Sequence, residues 1–286
     1  VRGALDGELE AQAYDALVMG VRDYVDKNGF PGAIVGLSGG VDSALTLAIA
    51  VDALGRDRVR AVMLPSRYNA RMSLDDAREM AVIHGVRYDE VGIDAIATAF
   101  GEALAREFEG LPADATEENI QARIRGTILM ALSNKHGAIV LATGNKSEMA
   151  VGYATLYGDM AGGFAVLKDV TKTLVYRLCD YRNRLGRVVP ARVIARAPSA
   201  ELRAAQTDQD SLPPYDILDG ILEAYVERDE GIDAIVAAGF PETAVHDVVR
   251  LVRRNEYKRR QSATGIRITP RAFGKDWRVP ITSGFV

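Results

Sequence analysis

The order of apolar and polar positions divides the chain into two regimes. Ala13, Leu17, Val21 and Val25 recur at helical spacing and predict an amphipathic helix from Leu5 to about Lys27. The turn residues Asn28-Gly29-Phe30-Pro31-Gly32 end it. Residues 33–37 (Ala-Ile-Val-Gly-Leu) form a short unbroken apolar run, the pattern of a strand buried on both faces. Further strands are predicted at 59–64, 87–91 and 138–142. Between them, helices are predicted over 43–54, over 73–84 with Ser73 as hydroxyl cap and Asp75 and Asp76 in the first turn, and over 93–108. A long helix follows near 116–135, capped by Thr116, with Ile120, Ile124, Thr127/Ile128 and Ala131 as its apolar stripe. Regular strand–helix alternation over 33–142 implies right-handed crossovers and a doubly wound, Rossmann-like parallel sheet, an α/β fold. After about residue 174 the pattern changes to helices at 174–185, 215–229, 232–238 and 242–261, and then to an irregular basic stretch from Gly265. The expected organisation is one domain, with residues 1–174 as the α/β nucleotide-binding core and 175–286 as a helical and irregular C-terminal part.

Composition narrows the function classes. Hydrophobic residues make up 48% and charged residues 26% of 286, as in ordinary globular proteins, and no apolar run approaches the roughly 20 residues of a membrane span. The first residues lack the charged, apolar and small-residue order of a signal peptide, so the cytoplasm is the expected compartment. Val1 in place of methionine points to a piece of, or a product cut from, a longer chain. Cys179 is the only cysteine and is expected in the core, and His84, His136 and His246 are scattered, which disfavours disulfides and a zinc cage. A net charge of −4 argues against a general nucleic-acid binder. Basic residues nevertheless crowd the end of the chain, among them Arg250, Arg253, Arg254, Lys258, Arg259, Arg260, Arg267, Arg271, Lys275 and Arg278. Both a solvated face and a sink for a small polyanion fit that crowding.

The clearest chemistry lies at the end of the first predicted strand. In Gly36-Leu37-Ser38-Gly39-Gly40-Val41-Asp42-Ser43, two glycines allow close backbone approach to an anion. The helix that follows offers free N–H groups and its positive dipole end. Ser38 and Ser43 add hydroxyls. Asp42 would repel bare phosphate, so its presence suggests a bridging Mg²⁺. The segment lacks the Gly-Lys-Ser/Thr ending of a Walker A loop. It resembles the PP-loop, or ATP pyrophosphatase, superfamily, whose members hold pyrophosphate and transfer AMP.

Downstream segments narrow the resemblance. Leu141-Ala142-Thr143-Gly144-Asn145-Lys146-Ser147-Glu148, Asn119–Arg125, Leu156–Gly163, Lys168, Lys172, Ala197–Leu202 and Glu256–Arg260 are similar, in order and over nearly the whole chain, to the NAD synthetase family. Tyr157–Phe164 looks like the synthetase portion of the glutamine-dependent type. The bacterial ammonia-dependent form usually carries Lys where Leu156 stands and Asp near Gly163.

The resemblance implies ATP-dependent amidation of deamido-NAD through an acyl-adenylate, with ATP as co-substrate and Mg²⁺ as cofactor. Asp42 and Glu148 would bind the metal, and Asp42 and Lys172 would serve catalysis. Gly36–Ser43, Thr143, Lys172 and Ser199 would contact ATP. Arg123 or Arg125, Asp159, Tyr257 and Lys258 would contact deamido-NAD, with Tyr257 standing where the family has His. Arg123 and Arg125, two apart on a helix, point to different faces. The resemblance also implies a homodimer through the long helix near 116–135, with deamido-NAD at the interface. The ammonia would be free or supplied by a glutaminase domain or subunit, for which this chain shows no Cys/Glu/Lys set. Neither nucleic acid nor a membrane is an expected partner. A GMP synthetase, a tRNA-modifying PP-loop enzyme and a non-catalytic adenine-nucleotide binding module remain the alternatives.

Overall fold

The computed structural model describes residues 6–203 and 206–282. Five strands, β1 (Ala33–Gly36), β2 (Val59–Met63), β3 (Arg87–Glu90), β4 (Ile139–Ala142) and β5 (Phe164–Ala165), form one sheet in the order β3-β2-β1-β4-β5. Every pairing is parallel, with Ala33 in register with Val59 on one side and Ile139 on the other. The expected doubly wound α/β sheet is therefore present.

Side-chain alternation along the strands assigns the helices to two faces. Val35, Ala61 and Leu141 pack into a core with α1 (Asp6–Lys27), α2 (Val41–Leu54), α3 (Arg71–His84) and α7 (Lys172–Arg184). Ile34, Val62 and Val140 face the opposite way, toward α4 (Asp94–Leu104) and α5 (Ala115–His136). Ala13, Leu17, Val21 and Val25 of α1 are all buried, as their spacing predicts. The predicted start of that helix at Leu5 lies outside the described residues. At the sheet edge, β3 carries charge, and Arg60 of β2 pairs with its Asp89 at 2.6 Å. A charged edge discourages further strand addition.

A second apolar core lies beyond the sheet. It joins α6 (Lys146–Val151), α9 (Tyr215–Leu222), α10 (Ile232–Ala237), α11 (Glu242–Arg254) and Phe273. The short α8 (Ala191–Ala195) and α12 (Glu256–Arg259) complete the helices among the described residues.

Several local expectations are corrected. Ser73 does not cap α3: the helix starts two residues earlier behind Ala70, and Ser73 is buried. Asp114, not Thr116, caps α5, in a box with Glu117 that receives the Thr116 N–H. The helix expected over 215–229 ends at Leu222 and continues as a π turn, Glu223–Glu227. The helix expected over 242–261 breaks at Asn255, whose amide turns inward to donate to the Val151 carbonyl at 2.8 Å. A Cβ on Gly152 would collide with that side chain, so the break and the glycine require each other. β5, α6 and α8 are two to six residues long and carry no periodicity to read. Five of the ten C-terminal basic residues pair with acids: Arg250 with Asp247, Arg259 and Arg260 with Glu256, Arg267 with Asp276 and Arg271 with Asp229. These five are engaged within the chain rather than gathered as a polyanion sink.

His84, at the end of α3, is buried and its Nε2 has no hydrogen-bond partner. Burial pulls its imidazole down to about 4 from the ordinary 6.5. As pH falls, the unfolded chain takes up this proton first, so stability drops between about pH 6.5 and 4. Denaturant melts across that window should show a loss of about 3 kcal/mol in the native protein that is absent in His84→Gln. Parallel pH profiles for the two proteins would refute this assignment.

Candidate active site

β1 and β4 are sheet neighbours although about a hundred residues separate them, and the connections run outward from this pair in opposite directions. Ligand crevices of doubly wound sheets lie at such a reversal, beyond the C-terminal strand ends. One deep cleft opens there. Its lining includes Gly36 through Ser43, Thr143, Glu148, Lys172 and Ser199, so the segments expected to contact ATP converge on one space.

The loop after β1 is held by its own hydroxyls. Ser43 Oγ donates to the Gly40 carbonyl at 2.9 Å and accepts the Ser38 N–H at 3.2 Å, and the two serine Oγ atoms lie 3.1 Å apart. Gly39 sits at φ +85°, and a Cβ there would run into the Ser73 carbonyl oxygen. That buried residue of α3 thus forms the back wall of the loop. Gly40 caps α2 without any side-chain hydrogen bond, so the first N–H groups of a 14-residue helix face the cleft.

A charged cluster forms the cleft floor. Lys172, the first residue of α7, is fully buried and donates from Nζ to Asp42 Oδ2 at 2.5 Å, with Glu148 Oε1 at 3.5 Å. The Tyr215 ring lies 5.3 Å from the same ammonium. Burial opposes the Lys172 charge, but Asp42 and Glu148 more than reverse that, so the ammonium is held above the ordinary lysine range. Enclosure and the neighbouring Asp42 push Glu148 up to about 8. Two acids share one ammonium, and once Glu148 is ionised the site has capacity for another cation. Among the described residues no group of three or more His, Cys, Asp or Glu could cage a metal. Two hard oxygen donors fit a Mg²⁺ that arrives with phosphate oxygens, since Mg²⁺ commonly uses one or two carboxylates plus substrate phosphates.

Three residues that sequence reasoning missed support this floor. Asn145 is fully buried, caps α6 and donates to Asp42 Oδ1 at 2.9 Å. Asp219 of α9 accepts the Thr173 N–H at 2.8 Å and the Ser147 hydroxyl, while Ser147 Oγ accepts the Lys172 N–H at 2.9 Å. The second apolar core thereby anchors the start of α7. Asp208, buried and receiving the Tyr215 hydroxyl at 2.7 Å, is a further acid on the cleft wall.

The opposite wall is polar, and most of its groups are hydrogen-bonded to one another. Arg125 donates to the Leu64 carbonyl at 3.0 Å and to Ser66 Oγ and Asn69 Oδ1 at 3.2 Å, and burial draws its guanidinium down to about 10. Glu201 accepts from Ser73 Oγ at 2.6 Å, Asn69 Nδ2 at 2.8 Å and Arg196 at 2.5 Å. Ser199 donates to the Gln206 carbonyl at 2.6 Å. Arg125 lines the cleft with Ala122, Gly126 and Leu129. This one-face spacing of 122, 125, 126 and 129, with small residues at two positions, was the available signal favouring Arg125 over Arg123.

The remaining expected substrate contacts divide. Asp159 lines the cleft, and its carboxylate accepts the Thr155 N–H at 2.8 Å. Arg123, Tyr257 and Lys258 are not brought into the lining. Arg123 is exposed and donates to the Leu156 carbonyl at 3.2 Å. The Lys258 ammonium is occupied by the Gly152 and Ala154 carbonyls, each at 2.7 Å. Tyr257 is exposed on the outer surface.

Comparisons with known proteins identify the family of the chain. The family model described as NAD synthase matches residues 13–262. A glutamine-dependent NAD(+) synthetase of Acinetobacter baylyi is 59% identical over 277 residues, covering 96% of this chain and 51% of the relative. That of Thermotoga maritima is 51% identical over 278 residues, covering 96% and 48%. The chain thus spans about half the length of the curated relatives it matches. Among solved structures, a glutamine-dependent NAD+ synthetase from Acinetobacter baumannii in complex with ADP shares 56% identity with a TM-score of 0.66, over 97% of this chain and 50% of that one. An NMN synthetase from Francisella tularensis shares 28% identity with a TM-score of 0.74, over 87% and 95%.

Gly39→Ala should abolish saturable ATP binding and lower stability by roughly 1–3 kcal/mol, because the left-handed φ and the Ser73 contact both penalise a side chain. Isothermal titration with ATP checks the first effect and thermal melts the second. Wild-type affinity in this variant would show that the loop does not hold the phosphates.

Proposed function

The chain belongs to the NAD synthase family, and from that membership we propose that it uses ATP and ammonia to convert the nicotinate carboxylate of deamido-NAD into the amide of NAD. The observation that carries this is the joining of the glycine loop, Asp42, Lys172 and Glu148 at the strand-order reversal.

A carboxylate is a poor acyl donor because oxide would have to leave. Its oxygen attacks the α-phosphorus of ATP, the bond to the bridging oxygen of pyrophosphate breaks, and an acyl-adenylate remains. Ammonia then adds to the acyl carbon, AMP leaves with the former carboxylate oxygen, and one proton is lost. Both steps depend on positioning and charge neutralisation rather than on a protein nucleophile. Ser38, Gly39, Gly40 and Ser43 hold the departing pyrophosphate with N–H and hydroxyl donors, and Thr143 and Ser199 flank the nucleotide. The Lys172 ammonium offsets the charge that develops on pyrophosphate. Asp42 and Glu148 would hold a Mg²⁺, which would supply further charge neutralisation when ATP is bound. The cytoplasm, which supplies ATP and Mg²⁺ together, is the setting for this reaction.

We infer that deamido-NAD reaches past Arg125 and Asp159 in the cleft lining to a site continued by a second copy. Support comes from α4, an apolar helix none of whose residues is buried, with Ile96 and Phe100 exposed beside α5. Arg123, Tyr257 and Lys258 lie outside the cleft: Arg123 donates to the Leu156 carbonyl, the Tyr157 hydroxyl donates to Gln261 Oε1, and Gln261 Nε2 donates to the Tyr257 carbonyl, a surface along which a dinucleotide shared by two subunits would pass. The glutamine-dependent relatives are about twice as long. A glutaminase segment or partner accordingly supplies the ammonia in this scheme, and the present chain uses free ammonium in vitro.

Incubation with ATP, Mg²⁺, ammonium and deamido-NAD should yield NAD and AMP in equal amounts. Glutamine should not replace ammonium. Because one solved neighbour is an NMN synthetase, nicotinate mononucleotide should be offered in parallel, and faster amidation of it would overturn the substrate assignment. Asp42→Asn and Glu148→Gln should each lower AMP formation by roughly 100-fold or more, and near-normal rates would reject the metal role. Sedimentation should show a dimer that Phe100→Asp converts to monomer with loss of deamido-NAD binding; an unchanged sedimentation coefficient would remove the α4 surface from the interface.

A further inference from the structure

Asn145 touches both acid residues of the cleft floor: its side chain reaches Asp42 and the Glu148 N–H, and its backbone N–H reaches the Glu148 carboxylate. Its Oδ1 accepts the Glu148 N–H at 2.9 Å, and its own N–H donates to Glu148 Oε2 at 3.3 Å, a capping box at the start of α6. Because Oδ1 is committed to the helix, the amide cannot be turned over, and Nδ2 must point the other way. It meets Asp42 Oδ1 at 2.9 Å. Asp42 Oδ2 belongs to Lys172, so each Asp42 oxygen has one donor and the carboxylate is fixed. The remaining lone pairs are left for the cleft.

Capping alone does not demand asparagine here. Asp and Ser cap helices about as well as Asn, since all three offer a side-chain oxygen to the N–H groups of the first turn. Asp at this position would set a third carboxylate against Asp42, and Ser is too short to reach it and brings no amide. Only Asn supplies an acceptor to the helix and a donor to Asp42 at once.

We propose that Asn145 is a positioning residue that sets the separation and orientation of Asp42 and Glu148, tying the loop after β1 to the loop after β4. It touches neither substrate nor metal and acts through the two acids. This inference rests on their metal role under the proposed function. Lys146, the next residue, stiffens the same point: its fully buried ammonium lies 2.7 Å from both Asp169 and Glu227.

The test compares Asn145→Ser, Asn145→Asp and Asp42→Asn with the native chain. Mn²⁺ is titrated by electron paramagnetic resonance in the presence of a non-hydrolysable ATP analogue, with thermal melts of each protein. Both position-145 variants keep a capping oxygen, so either one reports if the other fails to fold. The expected result is a 10- to 100-fold weaker Mn²⁺ affinity for Asn145→Ser, of the order seen when groups behind metal ligands are removed, with a melting temperature close to native. The concentration of Mg²⁺ for half-maximal AMP formation should rise in parallel. Native Mn²⁺ affinity in Asn145→Ser alongside weakened binding in Asp42→Asn overturns this inference and leaves the metal site standing. Native affinity in all three overturns both. Weakened binding in both position-145 variants that tracks an equal loss of melting temperature assigns Asn145 to capping alone and also overturns it.

Discussion

A single ammonium organises the active region. Lys172 stands between Asp42, delivered by the first helix after the central strand, and Glu148, delivered by the short helix α6 that follows β4. Without it, two enclosed carboxylates would face each other uncompensated, and breaking a pairing of this kind typically costs about 3–5 kcal/mol. Such a cluster is also expensive to assemble, because each charge must leave water. Its presence in a cleft, rather than an apolar floor of the same volume, is what marks the region as functional.

The surroundings are arranged to support that ammonium. The N–H of Lys172 is fixed by Ser147, Ser147 by Asp219, and Asp219 belongs to the helical core outside the sheet. Asp42 is aimed by Asn145 and carried by α2, whose inner face is almost wholly buried. The sheet brings the two loops together, and the helical extension holds the lysine that joins them. Neither half of the chain completes the site alone.

Features whose causes are local in sequence were legible in it. The apolar strands β1, β2 and β4 announce themselves by their runs, and the Ser38–Ser43 loop by glycines, hydroxyls and an acid placed between strand and helix. Features that depend on distant partners were not. Asn145, which donates to Asp42, lies 103 residues from it, and Ser73, which donates to Glu201, lies 128 residues from it, and no spacing rule connects them. Ser73 looked like a cap because serine followed by acids usually is one; its hydroxyl instead serves Glu201. Which of Arg123 and Arg125 lines the cleft depended on which face of α5 turns to it, and the small residues at 122 and 126 recorded that face.

The buried ammonium of Lys146 has a bearing on how the protein is made. Its partners include Thr269 Oγ1 at 2.8 Å and the Arg271 carbonyl at 3.0 Å, about 125 residues further along, and Asp169 in turn receives the N–H groups of Ile268 and Thr269. A chain emerging from the ribosome can pair its strands and close the glycine loop while these residues are still unsynthesised. The ammonium beneath the loop after β4 then still lacks part of its shell. Translation therefore delivers the scaffold first and seals the underside of the site only once residues 268–271 have emerged.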